Sequence, residues 1–190
     1  MRIYQAVKEK GYMSGFLIGA GKIIMAIVSH SWLLFIHAVY NVIKAVAKHC
    51  ALKEHSGQYN TMFYSGLLVI AASTVYLVYS IYIFFFGSNS SYHMYIAIGI
   101  AAVTVYELVV SIMGLNKAKK KNDVREETVK YINLASALIS VSLTQTAILS
   151  FTNEGDMSKA YAVGDAVFGI LALLVGIFML LRANKLEQTR

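Results

Sequence analysis

Residues 61–86 read TMFYSGLLVIAASTVYLVYSIYIFFF, a run of 26 residues that contains no charged side chain. A helix of about 20 apolar residues is long enough to cross the hydrocarbon layer of a bilayer. A helix is also the form in which a single segment satisfies its own backbone hydrogen bonds inside lipid. The run therefore predicts a transmembrane helix.

The rest of the chain has the same character. Its 190 residues are 57% hydrophobic and only 14% charged, and none is proline, whereas about a quarter of the residues in a soluble domain are charged. At about 20 residues per crossing, the chain holds six spans with short connections and has no room for a soluble catalytic domain. The single cysteine, Cys50, excludes a disulfide framework. We therefore expect an integral membrane protein that is not an enzyme and carries no cofactor.

Apolar runs between polar breaks predict six helical spans in one domain that covers residues 1–190. The predicted spans are residues 14–29, 32–51, 61–86, 92–115, 128–151 and 160–181. The first two are separated by little more than His30 and Ser31, so they should form a tight hairpin. The expected fold class is all-α, a polytopic membrane protein with six transmembrane helices. We expect it to lie in the lipid bilayer of the cell membrane.

Basic residues are distributed unequally between the two sides of this topology. With the N-terminus in the cytoplasm, 14 of the 17 Lys and Arg residues fall in cytoplasmic segments, Lys159 is alone on the other side, and Lys22 and Lys44 lie within spans. Because positive residues favour the cytoplasmic side, both termini are expected there. The basic run at residues 117–121 is interpreted as a solvated loop between the fourth and fifth spans, and no nucleic-acid partner is expected.

Polar and ionisable residues inside the spans are the candidate functional groups, since each is costly in lipid unless it faces a partner or a wet cavity. Spacings of three and four residues place those of the second span on one helical face. At about 1.5 Å per residue, Lys44 and Glu107 share one depth, and His37 and Asp165 share another. The candidates for an ion or substrate pathway are His37, Tyr40, Asn41, Lys44, Glu107, Ser140 and Asp165.

Two interpretations of these groups remain open. The pairs could neutralise one another and hold helices together, or they could form a proton or ion relay. Because a buried ammonium needs a partner, the shared depth predicts that Lys44 and Glu107 approach each other directly or through one water.

Two stretches of the chain carry a family resemblance. Residues 21–44, GKIIMAIVSHSWLLFIHAVYNVIK, resemble the first hairpin of the cation diffusion facilitator family, in which a very short loop ending in Ser leads into a second helix bearing Asp-Ala-x-His-Asn-x-x-Asp or a close variant. Residues 164–182, GDAVFGILALLVGIFMLLR, are similar to its sixth helix, which opens with Asp-Pro or Asp-Ala. The resemblance implies six spans, cytoplasmic termini and a homodimer.

The same resemblance implies that the metal chemistry of the family is lost. The positions that correspond to its four metal ligands hold Tyr40, Lys44, Ile139 and Leu143. None of these is an ordinary zinc ligand, and an ammonium would stand where a divalent cation should bind. We therefore expect no metal in this chain, and the cytoplasmic metal-binding domain of the family is expected to be missing.

Three functions are compatible with the sequence. The first is a transporter-like protein with this fold and a degenerate metal site, which moves protons or a small solute. The second is a non-transporting scaffold or partner subunit of the same fold. The third is a small substrate-binding membrane subunit of another six-helix class.

Overall fold

A computed structural model describes residues 32–52, 57–87, 94–121, 123–152 and 157–188. The secondary structure of this part of the chain is entirely α-helical. It consists of α1 (Trp32–Leu52), α2 (Gln58–Phe86), α3 (Met94–Lys121), α4 (Val124–Thr152) and α5 (Ser158–Gln188). The predicted first span, residues 14–29, lies outside the described residues.

Four of the helices are long and apolar enough to cross a membrane. They comprise Gln58–Phe86, Ala97–Lys120, Val124–Ser150 and Ser158–Gln188, which overlap the predicted third to sixth spans. Helix α1 overlaps the predicted second span but does not belong to these four, since His37, Asn41, Lys44 and Lys48 make it more polar. The all-helical, apolar architecture fits a membrane protein.

The expected charged loop after the fourth span is the clearest difference from the sequence-based prediction. Helix α3 continues through the basic run to Lys121, and α4 begins at Val124. The Asp123 carboxylate accepts hydrogen bonds from the backbone N–H groups of Arg125 and Glu126, at 3.0 and 3.1 Å, and so caps α4. Hydropathy locates the apolar part of a helix, whereas capping determines where the helix begins. The basic residues therefore extend a helix instead of forming a loop.

Helix α4 is the centre of the bundle, because it packs against each of the other four described helices. Helix α1 packs on α2 and α4, while α3 packs on α4 alone among the described helices. Much of α3 is therefore left exposed, including Val105, Tyr106 and Met113. Such a surface is suited to lipid.

Helices α2 and α5 form the most extensive contact, and glycines allow their close approach. A Cβ atom on Gly176 would lie 3.3 Å from the Gly66 carbonyl oxygen and 3.2 Å from the Ile70 backbone nitrogen. An ion pair joins the ends of α4 and α5, with Arg182 Nε 3.6 Å from a carboxylate oxygen of the buried Glu127. On one side of the bundle, α2, α4 and α5 all pack on one another; on the other, α1 and α3 each pack on α4 but not on each other within the described residues. We call these the tight side and the looser side.

Candidate functional site

Asp165 is fully buried on α5 and accepts hydrogen bonds from two other helices. Tyr76 Oη of α2 lies 3.0 Å from Asp165 Oδ1. Ser142 Oγ of α4 donates to the same oxygen and lies 3.0 Å from Tyr76 Oη. The second carboxylate oxygen, Oδ2, is buried and has no hydrogen-bond partner among the described residues. One oxygen of the carboxyl group is thus held in place, while the other remains available.

His37 of α1 completes this group. Its ring meets the Tyr76 ring edge to face, with centroids 5.5 Å apart and an interplanar angle of 77°. Both His37 and Asp165 therefore lie against Tyr76, which stands between the two residues that the sequence placed at one depth. We call His37, Tyr76, Ser142 and Asp165 the Asp165 centre.

The Asp165 centre is buried where four helices meet. Beside it, Ser80 Oγ of α2 donates to the Ala162 carbonyl oxygen of α5 at 2.6 Å. The Gln145 side chain of α4 packs directly on Gly164 of α5, in the space that a Cβ atom at Gly164 would occupy. These contacts hold α2, α4 and α5 together around the carboxyl group and exclude bulky groups from its surroundings.

The chemistry of the Asp165 centre follows from its burial. A bare carboxylate is costly in an apolar interior unless hydrogen bonds or a cation compensate it. Two hydroxyl donors at Oδ1 compensate part of that cost, and Oδ2 can carry a proton or face a small cation. The Tyr76 phenol lies next to the Asp165 carboxyl group, and the His37 imidazole lies next to the Tyr76 ring. Both groups can transfer protons. The arrangement can therefore hold a proton and exchange it.

Lys44 and Glu107 contact a different face of α4 from the one that carries Ser142. Lys44 Nζ donates to Ser136 Oγ at 2.7 Å, and Glu107 Oε2 accepts from Ser140 Oγ at 3.4 Å. Ser136 and Ser140 are one turn apart on α4. The sequence predicts that Lys44 and Glu107 approach each other directly or through one water. In the described residues α1 and α3 do not pack on one another, α4 lies between them, and each charged group contacts its own serine. The pair itself stays a prediction.

The other candidate residues of α1, Asn41 and Tyr40, make contacts that stabilise the fold. Asn41 Nδ2 donates to the His37 carbonyl oxygen at 2.8 Å, within its own helix. Tyr40 is buried in the main hydrophobic core and lines, with Lys44, a small cavity between α1, α2 and α4. Ile139 and Leu143 are buried in two separate hydrophobic clusters.

These surroundings do not fit a divalent metal at the positions that the family resemblance implies. Ile139 and Leu143 have no ligand atoms, and Lys44 brings a positive charge. In the described part of the chain, no three His, Cys, Asp or Glu residues come together in a group that could hold a metal ion.

Sequence reasoning missed Tyr76 and Ser142, although a signal for Tyr76 exists. The polar side chains Ser65, Ser73, Tyr76 and Ser80 follow one another at helical spacing along α2 and are all buried. Such a stripe in an otherwise apolar helix indicates a face that looks into the bundle. Ser142 has no comparable signal, because α4 carries hydroxyl residues on several faces.

No known protein family has a model that matches this sequence, and no curated protein matches it.

Proposed function

We propose that this chain is a multi-pass transporter-like membrane protein that moves protons, or a small solute coupled to them, through the Asp165 centre. The proposal includes six spans, both termini in the cytoplasm of a cell-membrane protein, and a homodimer with a fold like that of the cation diffusion facilitators. The observation that carries the proposed activity is the buried Asp165 carboxyl group, whose Oδ2 has no hydrogen bond within the described residues.

The groups around Asp165 support a proton as the transported species. Tyr76 Oη is 3.0 Å from Asp165 Oδ1, and the Tyr76 ring contacts the buried His37. These three residues come from three helices, so a small movement of one helix would change the contacts among them. A divalent metal is a poorer candidate, because Tyr40, Lys44, Ile139 and Leu143 offer no suitable ligand set.

A shallow groove lies next to the helix segment that carries Asp165. It is lined by Gln145 of α4 and by residues of the first turns of α5, including Lys159, Gly164 and Phe168. Gly164 directly precedes Asp165, and the proposed topology puts Lys159 on the outer side. In the proposed function, protons reach Asp165 from the side of this groove.

The test is proton flux in proteoliposomes that contain a pH-sensitive dye. Wild-type protein should dissipate an imposed pH gradient, and Asp165→Asn should reduce the initial rate at least about tenfold, because the amide cannot carry the proton. Ser65→Ala is the control, since Ser65 of α2 is buried like Asp165 but donates to the Ala47 carbonyl oxygen, away from the Asp165 centre. It should transport at nearly the wild-type rate. Equal flux through wild type and Asp165→Asn would overturn the proposal.

A scaffold without transport activity is the second candidate. It is favoured by the way in which Asp165 joins α2, α4 and α5 through hydrogen bonds that hold the bundle together. On this alternative, wild-type proteoliposomes show no more flux than empty vesicles, while Asp165→Leu, which removes the shared acceptor, lowers thermal stability. The flux of the wild type therefore separates the two functions.

A further inference from the structure

Three lysines gather on the looser side of the bundle. Lys44 and Lys48 lie one turn apart on α1, and Lys130 lies in the second turn of α4. Lys48 is within electrostatic range of both other lysines and of Glu107 on α3. Among the described residues, Lys48 thus has two further ammonium groups and one carboxylate around it. We call these four residues the lysine cleft.

Helix packing gives the cleft its walls and its floor. Helices α1 and α3 both pack on α4 but not on each other within the described residues, so α4 forms the floor between two walls. The floor is polar, since Ser136 contacts Lys44 and Ser140 contacts Glu107. All three lysines are partly buried there, not freely solvated.

Lys130 reaches across the floor to the α3 wall. A Cβ atom on Gly114 of α3 would lie 2.8 Å from Cδ and 2.9 Å from Nζ of Lys130. The lysine side chain therefore lies directly over the glycine, and the absence of a side chain at Gly114 leaves room for it. This places a third ammonium beside α3, opposite the two on α1.

An excess of positive charge at the edge of a membrane bundle favours an anion. Ionisable groups in membrane helices are costly unless they are paired, and around Lys48 the described residues place more ammonium groups than carboxylates. In the proposed orientation, Lys48 near the end of α1 and Lys130 near the start of α4 both lie towards the cytoplasmic leaflet. That leaflet contains anionic lipids, and basic pockets between helices on this side bind their headgroups.

We propose that the lysine cleft binds the phosphate of an anionic membrane lipid between α1 and α3. Lys44, Lys48 and Lys130 surround the phosphate, and the acyl chains extend along the apolar surfaces of the two walls. The leaflet rests on the proposed orientation, but the binding does not require that the protein transport anything.

The test is thermal unfolding of the full-length protein in nanodiscs made of phosphatidylcholine alone or with added phosphatidylglycerol. Phosphatidylglycerol should raise the melting temperature of the wild type in a saturable way. Since each lysine near an anionic surface contributes a modest attraction, Lys48→Gln and Lys130→Gln should each weaken the apparent lipid affinity roughly fivefold, and together roughly 25-fold. The readout does not depend on which leaflet the cleft faces or on flux.

Control variants make the result specific. Lys120→Gln removes an exposed lysine of α3 outside the cleft and should leave the affinity nearly unchanged, while Lys48→Arg keeps the charge and should retain most of the affinity. Inorganic phosphate is added in a separate series to protein in phosphatidylcholine. Stabilisation by phosphate equal to that by phosphatidylglycerol would overturn the lipid proposal in favour of a free anion. An identical lipid response in wild type and the Lys48→Gln/Lys130→Gln double variant would also overturn it.

Discussion

The Asp165 centre and the lysine cleft occupy opposite faces of the same helix. Ser142 faces the first and Ser140 faces the second, and two residues correspond to about 200° around α4. At the Asp165 centre, a single carboxyl group is enclosed by neutral hydroxyls where α2, α4 and α5 pack tightly. At the lysine cleft, several charges share a partly buried surface where α1 and α3 do not pack on one another within the described residues.

The difference shows two ways of accommodating charge in an apolar bundle. Tight packing excludes water, so Asp165 Oδ1 takes its hydrogen bonds from the neighbouring hydroxyls of Tyr76 and Ser142. Loose packing lets long lysine side chains extend along the helices and place their charged ends at the most polar point available. The first arrangement suits a proton, and the second suits a larger anion. The predictions below test this contrast.

Removal of the Asp165 carboxyl group should have the largest effect on stability. In Asp165→Leu, Tyr76 and Ser142 lose their shared acceptor inside a dry interior and retain only one another. We expect a loss of about 3 kcal/mol in unfolding free energy. Thermal or denaturant unfolding in detergent measures this, with Asp165→Asn as the control, since its amide oxygen remains an acceptor. Equal stability of Asp165→Leu and wild type would show that the centre is not dry.

A matched pair of glycine substitutions compares the packing of the two sides. A Cβ on Gly176 would press on backbone atoms of Gly66 and Ile70, which cannot move without separating α2 from α5. Gly176→Ala should therefore destabilise the protein by about 2 kcal/mol. A Cβ on Gly114 would meet only the flexible side chain of Lys130.

Gly114→Ala should be close to neutral, because the lysine can shift and alanine favours the helix. Both variants are measured by the same unfolding assay. If the Gly114 substitution were the more damaging, the assignment of tight and loose sides would have to be reversed.

The smallest effect is expected for the coupling between Lys44 and Glu107. A dry, direct ion pair would lose about 3–5 kcal/mol when one partner is removed. Here each group has its own serine, so Lys44→Met and Glu107→Gln should have nearly additive effects, with a coupling below about 1 kcal/mol. A double-mutant cycle in unfolding free energy measures it. A coupling of several kcal/mol would instead support the direct Lys44–Glu107 pair that the shared depth predicts.

Four of the described helices are long and apolar enough to span a membrane and overlap the predicted third to sixth spans, because apolar runs of this length are a strong local signal. The ends of these helices differ from the prediction, since α3 continues through the basic residues to Lys121 and α4 begins after the Asp123 cap. Of the candidate residues, Asp165 and His37 stand out in sequence because charged or titratable groups are rare in apolar helices. Tyr76 and Ser142 escape notice because hydroxyl groups are tolerated in membrane helices without any partner outside the helix.

The sequence alone determines that this is an apolar, helical protein and where its costly polar groups lie along each helix. Those properties depend on the side chains of one segment at a time. Only the tertiary structure decides that α4 separates α1 from α3, that Tyr76 stands between His37 and Asp165, and that Lys130 joins Lys44 and Lys48. These juxtapositions depend on which helix faces pack together. That choice is made by the fit of small residues such as Gly66 and Gly176 against distant segments, which no single segment specifies.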